Sequence, residues 1–269
     1  VYAYVVNLAR SPDRRAHIAN ELAKTGIDYE FVDAVDGREL NIGDVALVDR
    51  VAARDGSLGD TAAAVAGGVG CVLSHQRVYQ KVVADGHDRA LVLEDDMVLP
   101  TDLGTLADAV GEGMAGAEVV LLKFTDERGT CRVAKQGTVA LPAARQLVRP
   151  VGTRLCCTGA YVVTAEACRR MDRATLPVRV KADAWGYYCS QGTLDSVRCV
   201  VPMPVDDSPT FRSTIDFFDP HSRQARVREW VARVKVPGLY QVLALRRRYV
   251  TKRRALPGAF EFVEAQRER

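Results

Sequence analysis

The chain has 269 residues, 48 % of them hydrophobic and 26 % charged, with 21 glycines and 11 prolines. Those values exclude a disordered, collagenous or fibrous chain, and the length suits one large domain or two small ones whose core needs neither disulfides nor a structural metal. The net charge of +3 conceals a split: residues 222–254 carry eleven Lys/Arg and one acid, Glu229, so that block is +10 and the other 236 residues sum to −7.

Residues 2–8 read as a mostly apolar strand. Ser11 and Pro12 suit the N-cap and first position of a helix, Ile18 and Leu22 give it an apolar stripe, and Gly26 closes it. A second strand over residues 29–32 completes a β-α-β start, which calls for a parallel pair with a right-handed crossover. Residues 47–70, rich in Ala, Gly and Asp without a firm period, read as a long surface loop with some helical content. Val72, Tyr79, Val82 and Val83 then mark one face of a helix ending near Gly86. Residues 90–93 form a short buried strand, and Glu94-Asp95-Asp96 follows at once. Strands are expected over residues 118–122 and 159–164, a helix from Ala165, and a last central strand over residues 194–201. This alternation predicts an α/β fold with a mainly parallel sheet. No apolar run approaches the ~20 residues that span a bilayer, and no secretory leader is read at residues 1–10.

The seven cysteines, an odd number without a Cys-x-x-Cys pair, argue against a zinc site or a disulfide framework. Vicinal Cys156 and Cys157 read as buried reduced thiols, in keeping with a reducing cytoplasm.

The sharpest chemical feature is Glu94-Asp95-Asp96 between two apolar runs. Adjacent carboxylates repel, and a bound Mg²⁺ or Mn²⁺ at the carboxyl end of a strand would relieve them while bridging to phosphate oxygens; the bland alternative is a solvated acid cluster. Gly67-Gly-Val-Gly70 leads into Ser74 and His75, where glycines allow close backbone approach and a helix start offers N–H groups to a phosphate. Taken alone, His75 reads as a packed core histidine. Arg10, Arg14 and Arg15 sit where the first strand turns into its helix and could pair with a phosphate, although three arginines in a turn, taken alone, are more often surface charges. Asp36-Gly37 follows the second strand, as a plain turn or beside a nucleoside.

These pieces occur in a fixed order, and with it the chain resembles glycosyltransferase family 25, the lipooligosaccharide galactosyltransferase type of bacteria. The likeness is carried by Val6-Asn7-Leu8 through Arg14-Arg15, Ala34-Val-Asp-Gly37, Gly70-Cys-Val-Leu-Ser-His75 and Leu93-Glu-Asp-Asp96, with His75 and Glu94 19 residues apart, and further on by Gly159-Ala-Tyr161 and Ser213-Thr-Ile215. The resemblance implies a GT-A-like, Rossmann-type domain over residues 1–217, followed by a basic C-terminal helical extension over residues 218–269. It implies an inverting, metal-dependent transfer of a hexose, galactose above all, from a UDP-sugar to a glycan acceptor such as lipooligosaccharide. Asp96, with Glu94, would hold Mn²⁺ or Mg²⁺. Asn7, Leu8, Arg10, Arg14, Asp36, Gly37, Ser74, His75, Glu94 and Asp95 would line the donor site. Asp183 is the choice for the base, the bland alternative being the N-cap of a short helix, with Trp185 beside it as an aromatic face for a sugar and Asp195 in reserve. Residues 222–254 suit docking on an anionic membrane from the cytoplasmic face of the inner membrane; nucleic acid is not expected, since no recognised fold motif accompanies the charge. The alternatives are a transferase of the same fold with another nucleotide sugar, or a non-catalytic glycan- or membrane-binding module.

Overall fold

The computed structural model describes residues 1–54, 57–59, 61–124, 130–134, 137–151, 155–211 and 260–264. In chain order the elements are β1 (Tyr2–Asn7), α1 (Pro12–Leu22), β2 (Tyr29–Asp33), a 3₁₀ turn (Gly37–Glu39), α2 (Ala62–Ala84), β3 (Arg89–Glu94), β4 (Met97–Val98), α3 (Leu103–Glu112) and β5 (Glu118–Leu121). There follow β6 (Thr130–Ala134), β7 (Val139–Ala140), β8 (Gln146–Val148), β9 (Ala160–Thr164), α4 (Ala165–Thr175), α5 (Trp185–Ser190), β10 (Ser196–Val201), β11 (Asp206–Asp207) and β12 (Phe260–Glu264).

Eight strands form one sheet in the order β2-β1-β3-β9-β5-β10-β8-β7. β1 pairs parallel with β2 and β3, and β10 with β5; β9 lies antiparallel between β3 and β5, and β8 antiparallel between β10 and β7. Six of the eight strands therefore point one way, as the alternating pattern predicts, with β9 and β8 reversed.

Alternation along each strand divides the core between two faces. Ala3, Val5, Leu91 and Leu93 cluster with Ile18 and Leu22 of α1 and with Leu103 and Leu106 of α3. Tyr4, Val6, Ala90 and Val92 cluster with Val78, Tyr79 and Val82 of α2 and with Cys168 and Met171 of α4. At about 1.5–3 kcal/mol for each large apolar side chain removed from water, this three-layer packing fixes where the strand ends lie.

The loop expected over residues 47–70 is corrected in two respects. α2 begins at Ala62, where the Thr61 hydroxyl oxygen accepts the Ala64 N–H, a cap worth about 1 kcal/mol. Upstream, Val48 and Leu58 are buried in a separate small cluster with Val65, Val69 and Val178. Gly67 to Ser74 therefore lie inside a helix, with their N–H groups spent on the helical ladder rather than offered to a phosphate.

Within the C-terminal extension the described residues are those of β12, which pairs antiparallel with β6. That segment is a strand, not helix. The remainder of residues 218–269, including the basic block 222–254, and Ser213-Thr-Ile215 lie outside the described residues. No helix among the described residues is long and apolar enough to cross a membrane.

Candidate functional site

Successive crossovers leave β1 toward β2 and then return over it to β3. The carboxyl ends of β1 and β3 consequently frame a switch point, the crevice where open α/β sheets take ligands. Asn7 ends β1 and Glu94 ends β3. A cleft of about 260 Å³ opens there, lined in part by Leu8, Arg10, Arg14, Asp36, Gly37, Ser74, His75, Glu94 and Asp95. Of the ten residues expected around a donor, Asn7 alone does not line it.

Asn7 is buried, and its Nδ2 donates to Asp95 Oδ2 at 2.7 Å. It holds Asp95 from beneath and does not itself line the cleft. Arg14 Nη2 lies 2.6 Å from Asp95 Oδ1 and 2.8 Å from Asp96 Oδ2, clamping both acids from α1. Burial works against the Arg14 charge, yet the two acids hold its guanidinium above its ordinary range. Asp96 is affected in the opposite sense: burial, then the charge of Glu94, push its carboxyl up to about 6, Arg14 pulling back and Asp95 adding to the rise.

One wall of the cleft is the segment after β2, and glycines bind it to α2. A Cβ on Gly37 would overlap the carbonyl oxygen of Ala66, and one on Gly70 would lie 2.8 Å from the Val35 oxygen and 2.9 Å from the Gly37 nitrogen. Ser74 Oγ donates to the Gly70 carbonyl and accepts the Val35 N–H. Gly37 and Ser74 thus shape the wall of the cleft that they line. Asp36 accepts the Arg38 N–H at the start of the 3₁₀ turn, and the Arg38 and Arg10 guanidinium groups hold its carboxyl well below the usual range. The sequence reading missed Arg38, although it follows Asp36-Gly37 directly.

On the floor, His75 is 1 % exposed on α2. Its Nδ1 lies 2.8 Å from the Tyr161 hydroxyl, and its Nε2 faces Glu94 Oε1 from 3.5 Å. Glu94 also accepts from Thr158 Oγ1 at 2.5 Å. Burial would raise the Glu94 carboxyl, but the facing His75 ring and the Thr158 hydroxyl hold it below its ordinary value. The packed-histidine reading is right about burial and incomplete about Nε2, which has no hydrogen-bond partner.

The cation implied by the resemblance fits Asp96. Its Oδ1 is buried without a hydrogen-bond partner, the condition of a hard oxygen ligand lacking its ion. Glu94 accepts from Thr158 through Oε1, the oxygen that His75 also faces, whereas the Asp96 oxygen is fully buried without a partner.

Asp183 does not line the cleft; its Oδ2 accepts the Cys157 N–H at 3.0 Å, and Cys157 takes a left-handed φ of 103°. It does not cap α5 with its side chain, since Ala184 holds that position. Two expectations are corrected outright. Trp185 is 2 % exposed, packs edge-on to Tyr161 and donates Nε1–H to the Cys157 carbonyl, so its face is spent in the core. Asp195 lies at the amino end of β10, the edge away from Glu94, bound to Arg170 and the Ala117 N–H.

The profile of glycosyltransferase family 25, described as an LPS biosynthesis protein family, matches residues 2–185. A "glycosyltransferase 25 family member" of Aedes aegypti is 34 % identical over 105 residues, 36 % of this chain and 16 % of that protein. "Inactive glycosyltransferase 25 family member 3" of Mus musculus is 41 % identical over 97 residues, 35 % of this chain and 16 % of the relative. Human "procollagen galactosyltransferase 2" is 32 % identical over 103 residues, 35 % of this chain and 15 % of the relative. The matches therefore cover about one sixth of the length of these curated relatives.

Proposed function

The chain belongs to glycosyltransferase family 25, and from that premise we propose that it transfers a hexose, galactose in our reading, from a UDP-sugar to a glycan acceptor with inversion at the anomeric carbon. The observation that carries this reading is the cluster at the switch point: Arg14 between Asp95 and Asp96, beside a cleft, with one buried Asp96 oxygen unsatisfied.

In this reading the nucleoside lies against Leu8, Ala34, Val35 and Asp36, and the diphosphate meets Arg14 at the helix α1 side of the cleft. Arg14 can then exchange part of its pairing with Asp95 and Asp96 for phosphate oxygens, for which a guanidinium fork is well shaped. A Mg²⁺ or Mn²⁺ held by Asp96 would supply positive charge against the nucleoside diphosphate as it leaves. Asn7 keeps Asp95 fixed while charge shifts around it. Asp183 is assigned to accept the proton of the acceptor hydroxyl from the face opposite the leaving group; the described hydrogen bonds of its carboxylate use Oδ2 alone. The acceptor in this reading is a lipid-linked glycan at the cytoplasmic face of the inner membrane, with residues 222–254 docking on anionic lipid.

A thermal-shift titration with UDP and UDP-sugars, with and without Mn²⁺, tests the reading. UDP at a hundredfold excess over its Kd is expected to add about 2.7 kcal/mol of stability, or about 5–10 °C in a chain of this size. The shift should require Mn²⁺ and vanish with EDTA or in Asp96→Ala. No shift with any nucleotide sugar in Mn²⁺ sinks the reading and leaves a non-catalytic module.

A further inference from the structure

Beneath the donor cleft, three side chains converge whose chemistry differs from the oxygen cluster at Asp96. Cys71 and His75 stand one helical turn apart on α2, and Glu94 ends β3. One ligand atom from each lies within 4.8 Å of the other two, and all three residues line the cleft.

The histidine supplies the independent observation. With Nδ1 occupied by the Tyr161 hydroxyl, Nε2 is the nitrogen turned to Glu94, in a side chain 1 % exposed and without a hydrogen-bond partner. Its 3.5 Å separation from Glu94 Oε1 is long for a charge-assisted hydrogen bond, which runs about 2.7–2.9 Å. It is close to the separation of about 3.3 Å expected between nitrogen and oxygen ligands of one tetrahedral ion with bonds of about 2.0 Å. Both groups also have the outer partners that metal ligands use. The Tyr161 hydroxyl holds the ring through Nδ1, and the Thr158 hydroxyl holds the carboxylate.

We propose that Cys71, His75 and Glu94 form a soft divalent-cation site, of the chemistry that takes Zn²⁺ in preference to Mg²⁺ or Mn²⁺, with its fourth position open to the cleft. One thiolate, one imidazole and one carboxylate are the donor types of an open tetrahedral zinc site. The ion would tie α2 to β3 under the cleft and present a Lewis-acidic position to a water or a sugar hydroxyl. Cysteine spacing argued against zinc because the site draws on a single cysteine, with its histidine four residues later on a helix. The proposal does not rest on the glycosyltransferase reading, and its test uses no nucleotide.

Titration of the full chain with Co²⁺ reads the site directly. The expected result is a sulfur-to-cobalt charge-transfer band saturating at one ion per chain, displaced by Zn²⁺ and untouched by Mg²⁺. Cys71→Ser should abolish the band, His75→Gln should weaken cobalt binding about tenfold or more, and Cys189→Ser should change nothing. No band in the wild type, or a band that survives Cys71→Ser, overturns the proposal. Should Cys71→Ser fail to fold, X-ray absorption of the zinc-loaded wild type decides. One sulfur at about 2.3 Å with imidazole present, and Zn²⁺ protection of Cys71 from alkylation, support the site; absence of either overturns it. UDP binding with Mn²⁺ is measured separately, so failure here is distinguishable from failure at Asp96.

Discussion

Replacing Asp96 with Asn removes a charge that the fold holds against its preference. Burial and the neighbouring Glu94 and Asp95 push this carboxyl from 3.8 up to about 6. At about 1.4 kcal/mol per pH unit, that displacement amounts to about 3 kcal/mol. An acid whose pKa is higher in the native state binds its proton more tightly when folded. Stability is therefore highest below about pH 4, falls as pH rises to about 6, and stays lower above that. Asparagine has the shape of the acid and imitates its protonated form. In EDTA, Asp96→Asn should be more stable than the wild type by about 2–3 kcal/mol at pH 8, and the difference should fade by about pH 4. Urea denaturation followed by tryptophan fluorescence measures it, Trp185 being buried in the core. A variant no more stable at pH 8, or one equally stabilised at pH 4 and pH 8, would refute the electrostatic argument. Mn²⁺ added to the wild type should narrow the gap, because a cation on the carboxylate offsets the same repulsion.

Three further outcomes are expected. Gly37→Ala drives a methyl into the Ala66 carbonyl, so it should cost about 1–3 kcal/mol in urea denaturation; an unchanged midpoint would mean that the wall is not packed on α2. Asp183→Asn keeps an oxygen to accept the Cys157 N–H, so it should fold normally and lose about 10²-fold or more in kcat; near-normal turnover would remove Asp183 as the base. Trp185→Ala opens a core cavity, and a loss of about 3–5 kcal/mol in stability is expected. A selective rise in acceptor KM with stability intact would restore the exposed-platform reading.

Six of the sheet's eight strands were legible from their apolar residues, and a run such as Ala90-Leu-Val-Leu93 has few alternatives once acids follow it; the short β7 and β8 were not read. Strand direction was not legible: nothing in residues 159–164 marks β9 as reversed. The start of α2 was hidden because Ala and Gly carry no amphipathic period where they pack against backbone, although Thr61, a favoured N-cap residue type, could have been read. The acids, Arg14 and His75 were found from residue type and order. Their partners were not: Asn7 for Asp95 and Thr158 for Glu94 are contacts across 88 and 64 residues. Trp185 misled because an aromatic beside an acid looks alike whether it faces solvent or, as here, packs on Tyr161.

The reversed strand β9 has a consequence for how such a scaffold diversifies. An antiparallel strand begins where its parallel neighbours finish, so the segment entering β9 arrives at the same rim that β3 leaves, and Thr158 and Cys157 are delivered there. Two stretches of opposite polarity thus meet at one edge. Grafting a different entering segment would exchange part of that rim while leaving the hydrogen-bonded ladder intact, which makes this junction a natural place to retune what the cleft admits.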